Sequence, residues 1–138
     1  MSGFTKFFSP GEGSESQAEL VSVAEACLDG FTERFNAQDL NGMDSFLNFP
    51  HIMYSAAELL IWEKPGQLPL DFFDKLVDGG WARTVTSQKT PVLVSKDKVH
   101  FRVHYTRQTD DGTILTEHDN IWFITRVEGR WGIALRSY

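Results

Sequence analysis

The chain has 138 residues, 41% hydrophobic and 13% aromatic, and a net charge of −6 from 19 acidic and 13 basic side chains. That length suits one domain with a sizeable core. The acidic balance, with no Lys/Arg cluster, lacks the footprint of a nucleic-acid binder, and the single cysteine, Cys27, excludes an internal disulfide and a cysteine-built metal centre.

No apolar run approaches the roughly 20 residues that cross a bilayer. The first residues lack the charged start, apolar run and cleavage site of a signal peptide. The expectation is a soluble, cytoplasmic protein. Residues 1–13, "MSGFTKFFSPGEG", mix Ser, Gly and Pro with Phe4, Phe7 and Phe8. They read as an N-terminal arm, laid as a strap over a domain spanning residues 14–138, because three exposed rings would be a liability.

A helix is predicted to start near Ser14 or Ser16, since both "SESQ" and "SQAE" fit the capping-box pattern. Leu20, Val23, Ala24, Cys27, Leu28, Phe31 and Phe35 then recur every three or four residues, an amphipathic stripe. "NAQD" ends it, and a short second helix follows over Asp39 to Leu47. After Pro50 come two short strands, His51 to Ser55 and Glu58 to Trp62. A third helix is expected from Pro69 to Val77, closed by "DGG". Four long strands complete the chain: Trp81 to Val94, Lys98 to Arg107, Thr113 to Arg126 and Arg130 to Ser137. "TDDG" and "EGR" form hairpin turns between them. Helices first and long strands last argue an α+β fold, with three helices packed on one face of a curved antiparallel sheet.

Between Val99 and Thr106 the pattern alternates completely: Val99, Phe101, Val103 and Tyr105 share one face, and His100, Arg102, His104 and Thr106 the other. From Ile121 to Ile124 both faces are apolar. A second subunit is the simplest cover for the outer one, so a homodimer joined through the sheet face is expected.

This layout, with "FTERFNAQDLNGMDSFL", "DKVHFRVHYTRQTDDG" and "WFITRVEGRWGIALRS", resembles the nuclear transport factor 2-like superfamily over about Glu15 to Tyr138. That group includes ketosteroid isomerase, the SnoaL-type polyketide cyclases, scytalone dehydratase and limonene epoxide hydrolase. The resemblance implies a cystatin-like conical half-barrel with an apolar pocket between sheet and helices, and acid–base residues on its wall. The isomerases carry a catalytic Asp in the first strand, where this chain reads His51, Ile52, Met53 and Tyr54.

His51 is therefore the first candidate for proton transfer, because an imidazole titrates near neutrality; the competing reading is a core histidine bonded to backbone. Tyr54 and Tyr105 could donate to a developing oxyanion, as tyrosine does in ketosteroid isomerase, or could be core aromatics. "TEHDN" places Glu117 and Asp119 on one face of a strand and His118 and Asn120 on the other. If Asp119 faces inward it can orient His51; if Asn120 does, that dyad fails. Arg107 and Arg136 are candidate partners for a structural Asp119. Phe31, Phe35, Trp62, Trp81 and Phe101 are expected to line the pocket. His100 and His104, about 13 Å apart at the strand rise of about 3.3 Å per residue, cannot share a metal ion, so no metal is expected; with no GxGxxG, P-loop, HExxH or CxxC motif, no cofactor is expected either. The function expected is binding of a small apolar or aromatic ligand, with cofactor-free isomerase, dehydratase or cyclase chemistry if the protein is an enzyme. The alternative is a non-catalytic dimeric binding or assembly module.

Overall fold

The computed structural model describes residues 15–138; the arm and Ser14 lie outside them. Helix α1 spans Gln17–Asn36, and the Ser16 hydroxyl accepts from the Glu19 backbone N–H at 3.2 Å. Of the two capping sequences it is "SQAE" that caps the described helix. Leu20, Ala24, Cys27, Leu28, Phe31 and Phe35 are buried, whereas Val23 lies off the stripe and is exposed. Helix α2 is Leu40–Asp44, capped by the Asp39 carboxylate on the Gly42 N–H.

Strands β1 (Leu47–Ser55) and β2 (Glu58–Trp62) pair antiparallel. β1 begins before Pro50 rather than after it. The β1–β6 ladder shifts register between Leu47 and Ile52, which leaves a place where an imino residue interrupts no pairing. Helix α3 is only Asp74–Asp78, shorter than expected. Phe73 occupies its N-cap position and offers no side-chain acceptor; it is buried, as is Leu68, while Leu70 points into solvent. The apolar residues of this segment anchor a turn instead of forming a helical stripe.

Strands β3 (Arg83–Ser95), β4 (Lys98–Gln108), β5 (Ile114–Val127) and β6 (Arg130–Ser137) complete a six-stranded sheet of order β2-β1-β6-β5-β4-β3. Only the β1–β6 pair is parallel. Glu128 and Gly129 both adopt positive φ in the β5–β6 turn, the backbone a two-residue hairpin requires. The architecture is α+β, with helices packed on a curved, unclosed sheet.

The packed face follows the alternation of β4: Val99, Phe101, Val103 and Tyr105 are buried. Opposite them on β5 stand Ile124, Trp122, Asn120 and His118. Asn120 therefore faces inward and Asp119 outward, because neighbours in a strand point to opposite faces. Phe31 and Phe35 of α1 pack edge-on against Trp122 and Trp81, with centroids 5.8 and 5.6 Å apart. Each such ring contributes a few kcal/mol, about 1.5–3 when fully buried.

Polar ties fix α1 over β3. Lys89 meets Asp29 at 2.6 Å and Glu25 at 3.0 Å. Asn36 donates to the Thr84 carbonyl at 2.9 Å and accepts from its N–H at 2.8 Å. At the other end, the Asn48 side chain donates to the Thr125 carbonyl at 2.9 Å and accepts from Arg130 at 2.9 Å. Gly132 lets β6 pass this side chain: a Cβ there would lie 2.7 Å from Asn48 Cγ and 2.8 Å from its backbone nitrogen. Gly132→Ala should lower unfolding stability by about 1–3 kcal/mol, the usual cost of forced overpacking. Urea titration checks it: the midpoint falls, and an unchanged midpoint would contradict the close approach.

Candidate functional site

A cavity opens between the second half of α1 and the concave face of the sheet. Phe31, Thr32 and Phe35 form its helical wall, and Thr84 and Thr86 of β3 one flank. Tyr105 and Arg107 of β4, Trp122 of β5, Arg136 of β6 and Tyr138 form the floor and the other flank. The cavity volume is about 30 Å³, room for about two waters. With its open mouth it encloses about 350 Å³.

Arg136 is only 5% exposed. Its Nε donates to His51 Nε2 at 3.2 Å, Nη1 to the Tyr138 hydroxyl at 3.3 Å and Nη2 to the Met53 sulfur at 3.3 Å. The guanidinium also lies over the Phe31 ring, 4.8 Å from its centroid, and 5.6 Å from that of Trp122, favourable cation–π geometry. Arg107 Nε is buried without a hydrogen-bond partner among the described residues; its guanidinium lies 6.0 Å from the Tyr105 ring. Trp122 Nε1 and both amide atoms of Asn120 are buried and unpartnered in the same sense. Tyr105 is buried, and burial together with the adjacent Tyr138 phenol pushes its ionisation far up, so it is a neutral donor at neutral pH. The His118 ring stacks on Tyr105 with centroids 4.8 Å apart, and its Nε2 lies 2.9 Å from the Thr116 hydroxyl. Burial, then the Arg107 charge, lowers its pKa.

His51 lies outside this lining. It is fully buried, stacked on Trp62 at 5.7 Å. Its Nδ1 is 2.8 Å from the Ile133 carbonyl. A carbonyl only accepts, so the proton sits on Nδ1, and Nε2 presents its lone pair to Arg136. Burial, then the Arg136 charge, lowers its pKa to about 3. The imidazole is thus neutral and positions the arginine.

The expected His51–Asp119 pair does not form. Asp119 is exposed on the outer face, where it accepts from His104 Nδ1 at 2.9 Å. Tyr54 is exposed on β1, and its carbonyl accepts from the Tyr138 N–H at 2.7 Å. Of the expected lining residues the cavity brings together Phe31 and Phe35, and with them the candidate donor Tyr105. Trp81 and Phe101 are buried in the core beneath it, and Trp62 packs on His51. From sequence alone, Arg107 and Arg136 stand out only as partners for Asp119. Continuing the β4 alternation from Tyr105 by two residues would have turned Arg107 inward.

The sequence matches no protein-family model and no curated protein sequence. Its fold matches solved structures. A protein of unknown function with a cystatin-like fold from Nostoc punctiforme is 12% identical, with 91% of this chain and 92% of that one covered and a TM-score of 0.68. A nuclear transport factor 2-like protein of unknown function from Pseudomonas putida is 11% identical, with 90% and 87% covered and a TM-score of 0.65. A ketosteroid isomerase-like protein from Erwinia carotovora atroseptica is 13% identical, with 86% and 94% covered and a TM-score of 0.56. The chain is similar to these in fold, and that fold is the cystatin-like, nuclear transport factor 2-like one its sequence resembles.

The His51 geometry has a pH signature. In the unfolded chain the ring takes up a proton near pH 6.5, whereas in the folded protein it stays neutral to about 3. The unfolded state therefore binds more protons in between, and stability falls as pH drops through that window. His100 and His118, also lowered, act in the same direction; His104, raised by Asp119, acts in the opposite one. Urea unfolding between pH 7 and 4.5 should show a steeper loss for the natural protein than for His51→Gln. Parallel curves would refute the assignment of His51 as buried and neutral.

Proposed function

We propose that the protein binds a small apolar or aromatic molecule in the cavity between α1 and the sheet. The observation that carries this reading is the convergence of unpaired polar groups on an aromatic-walled space: Arg107 Nε and Trp122 Nε1 have no partner among the described residues. Buried polar atoms are ordinarily bonded, and a concave apolar site with a few converging polar groups is the usual form of a ligand pocket.

Cofactor-free acid–base chemistry of the isomerase, dehydratase or cyclase type is the catalytic form of this reading, and the ketosteroid isomerase-like neighbour supports it. Tyr105 would donate to a developing oxyanion. Among the described residues the lining holds no acidic side chain. His118, stacked on Tyr105 but itself outside the lining, has a lowered pKa and one ring nitrogen without a partner among the described residues, whereas both nitrogens of His51 are engaged. Asp119 and Tyr54, on exposed surface, have no part in it.

A second reading, the non-catalytic dimeric module, is favoured by the outer face of β4 and β5. There Phe123 stacks on His100 with centroids 3.7 Å apart, and Ile121 is half-buried beside Arg102 and Asp119. The same face would join two copies in either reading.

The pocket is tested by filling it. Thr86, half-buried on the flank of the cavity, can be replaced by Phe. A panel of single-ring aromatics should quench tryptophan fluorescence in the natural protein, since Trp122 is in the wall. Thr86→Phe should abolish that quenching without lowering the melting temperature. Quenching that survives in Thr86→Phe would move the ligand elsewhere. Light scattering on a column should return twice the chain mass for the natural protein and the monomer mass for Phe123→Glu; a monomer in both would remove the dimer.

A further inference from the structure

The charge inside the cavity runs against the charge of the chain. The protein carries −6, yet among the described residues the cavity wall holds two guanidiniums and no acidic side chain. Among the described residues neither Arg107 nor Arg136 has an acidic group within 4.0 Å, whereas Arg34, Arg83 and Arg126 each do. Arg130, also without an acid, is held by the Ser45 and Leu47 carbonyls at 2.6 and 2.7 Å and by Asn48 Oδ1. Arg136 has no such acceptors. Its three partners are an imidazole nitrogen, a phenol and a thioether. A guanidinium has five N–H donors, so two remain.

Removing a cation from water without an anion costs several kcal/mol. Rings beneath Arg136 offset part of that. Arg107, Trp122 and Arg136 all line the same cavity. Two N–H groups of Arg136, the Arg107 Nε–H and the Trp122 N–H thus lack partners among the described residues, on three side chains that line a space whose side-chain acceptors are threonine and tyrosine hydroxyls. Such a site complements a ligand that accepts at one end and is apolar at the other. Planar guanidiniums match a carboxylate by two parallel hydrogen bonds, and Phe31 and Phe35 leave an aromatic slot for the body.

We propose that the ligand of this cavity is a small aromatic carboxylate, its anion held between Arg107 and Arg136 and its ring against Phe31, Phe35 and Trp122. This rests on the pocket reading above and adds the charge. The enclosed part has room for about two waters, so a single ring fits only by extending into the open mouth.

The test compares phenylacetate with phenylacetamide, equal in shape and different in charge, by calorimetry on the full chain at pH 7.5 and low salt. Phenylacetate should bind at least about tenfold more tightly, in line with a charge-assisted pair exceeding a neutral one. Arg107→Gln, at the half-buried arginine, should remove about tenfold of phenylacetate affinity and leave phenylacetamide within about twofold. Arg107→Lys should recover part of it, and circular dichroism should match the natural protein for both variants. If acid and amide bind equally, or Arg107→Gln binds phenylacetate as the natural protein does, the anion is excluded while the pocket stands. If neither compound binds and no single-ring aromatic quenches Trp122, the pocket reading fails and takes the carboxylate with it.

Discussion

A neutral imidazole holds a buried guanidinium, and most of the site's character descends from that contact. The Ile133 carbonyl accepts from His51 Nδ1, so only the Nε2 lone pair is left to meet Arg136. An aspartate in the same place would hold the arginine more tightly and cancel its charge. The histidine orients it and leaves the charge standing. Both partners come from the parallel β1–β6 pair, in which Met53 stands opposite Arg136, and the thioether of Met53 completes the cradle. The pair's alignment is in turn held by Asn48 and Gly132, where β6 passes β1 too closely for any side chain but hydrogen. Packing at one end of the sheet thus sets the aim of a cation at the other.

The sheet separates its ionisable groups by face. The concave face collects Tyr105, Arg107, His118 and Arg136. The convex face carries His104 with Asp119 at 2.9 Å and Glu117 at 3.4 Å. Only one residue of register divides the two sets, because successive side chains alternate. The separation has an electrostatic result: surface acids meet solvent and partners of their own, and none reaches across the sheet to quench the interior arginines. The aromatic ring of residues around α1, with Phe31, Phe35, Phe73 and Trp81 packed at 5.0–6.3 Å, gives these cations apolar walls in place of water.

Much of the fold was legible before any coordinates. The stripe from Leu20 to Phe35, the complete alternation of Val99 to Thr106 and the "EGR" turn each carry one strong local signal, and each formed where it was read. Local signals were weaker at Pro50 and at "LPLDFF". There the outcome depends on a register shift and on which apolar residues reach the core, both decided by distant strands. The candidate site was legible only in part. Phe31, Phe35 and Tyr105 follow from stripe and alternation. The direction of Asp119 does not, because Ile121 to Ile124 is apolar in either register and pairing with Val103 decides it. The task of His51 was hidden for the same reason: Ile133 and Arg136 lie 82 and 85 residues away.

That separation bears on how the chain is made as well as how it is held. In the order β2-β1-β6-β5-β4-β3 the β1–β2 hairpin joins the sheet only through β6. A ribosome building this protein releases the hairpin first and must add the 75 residues from Glu63 to Ser137 before its docking strand is complete. At about 5–20 residues per second that is a wait of roughly 4–15 s. Throughout it, one edge of β1 and the apolar run Leu59, Leu60 and Ile61, still exposed in the finished fold, have no sheet to join. The closing strand is also the one that brings Arg136, so the cation enters the interior last, when the aromatic walls that shelter it are already in place.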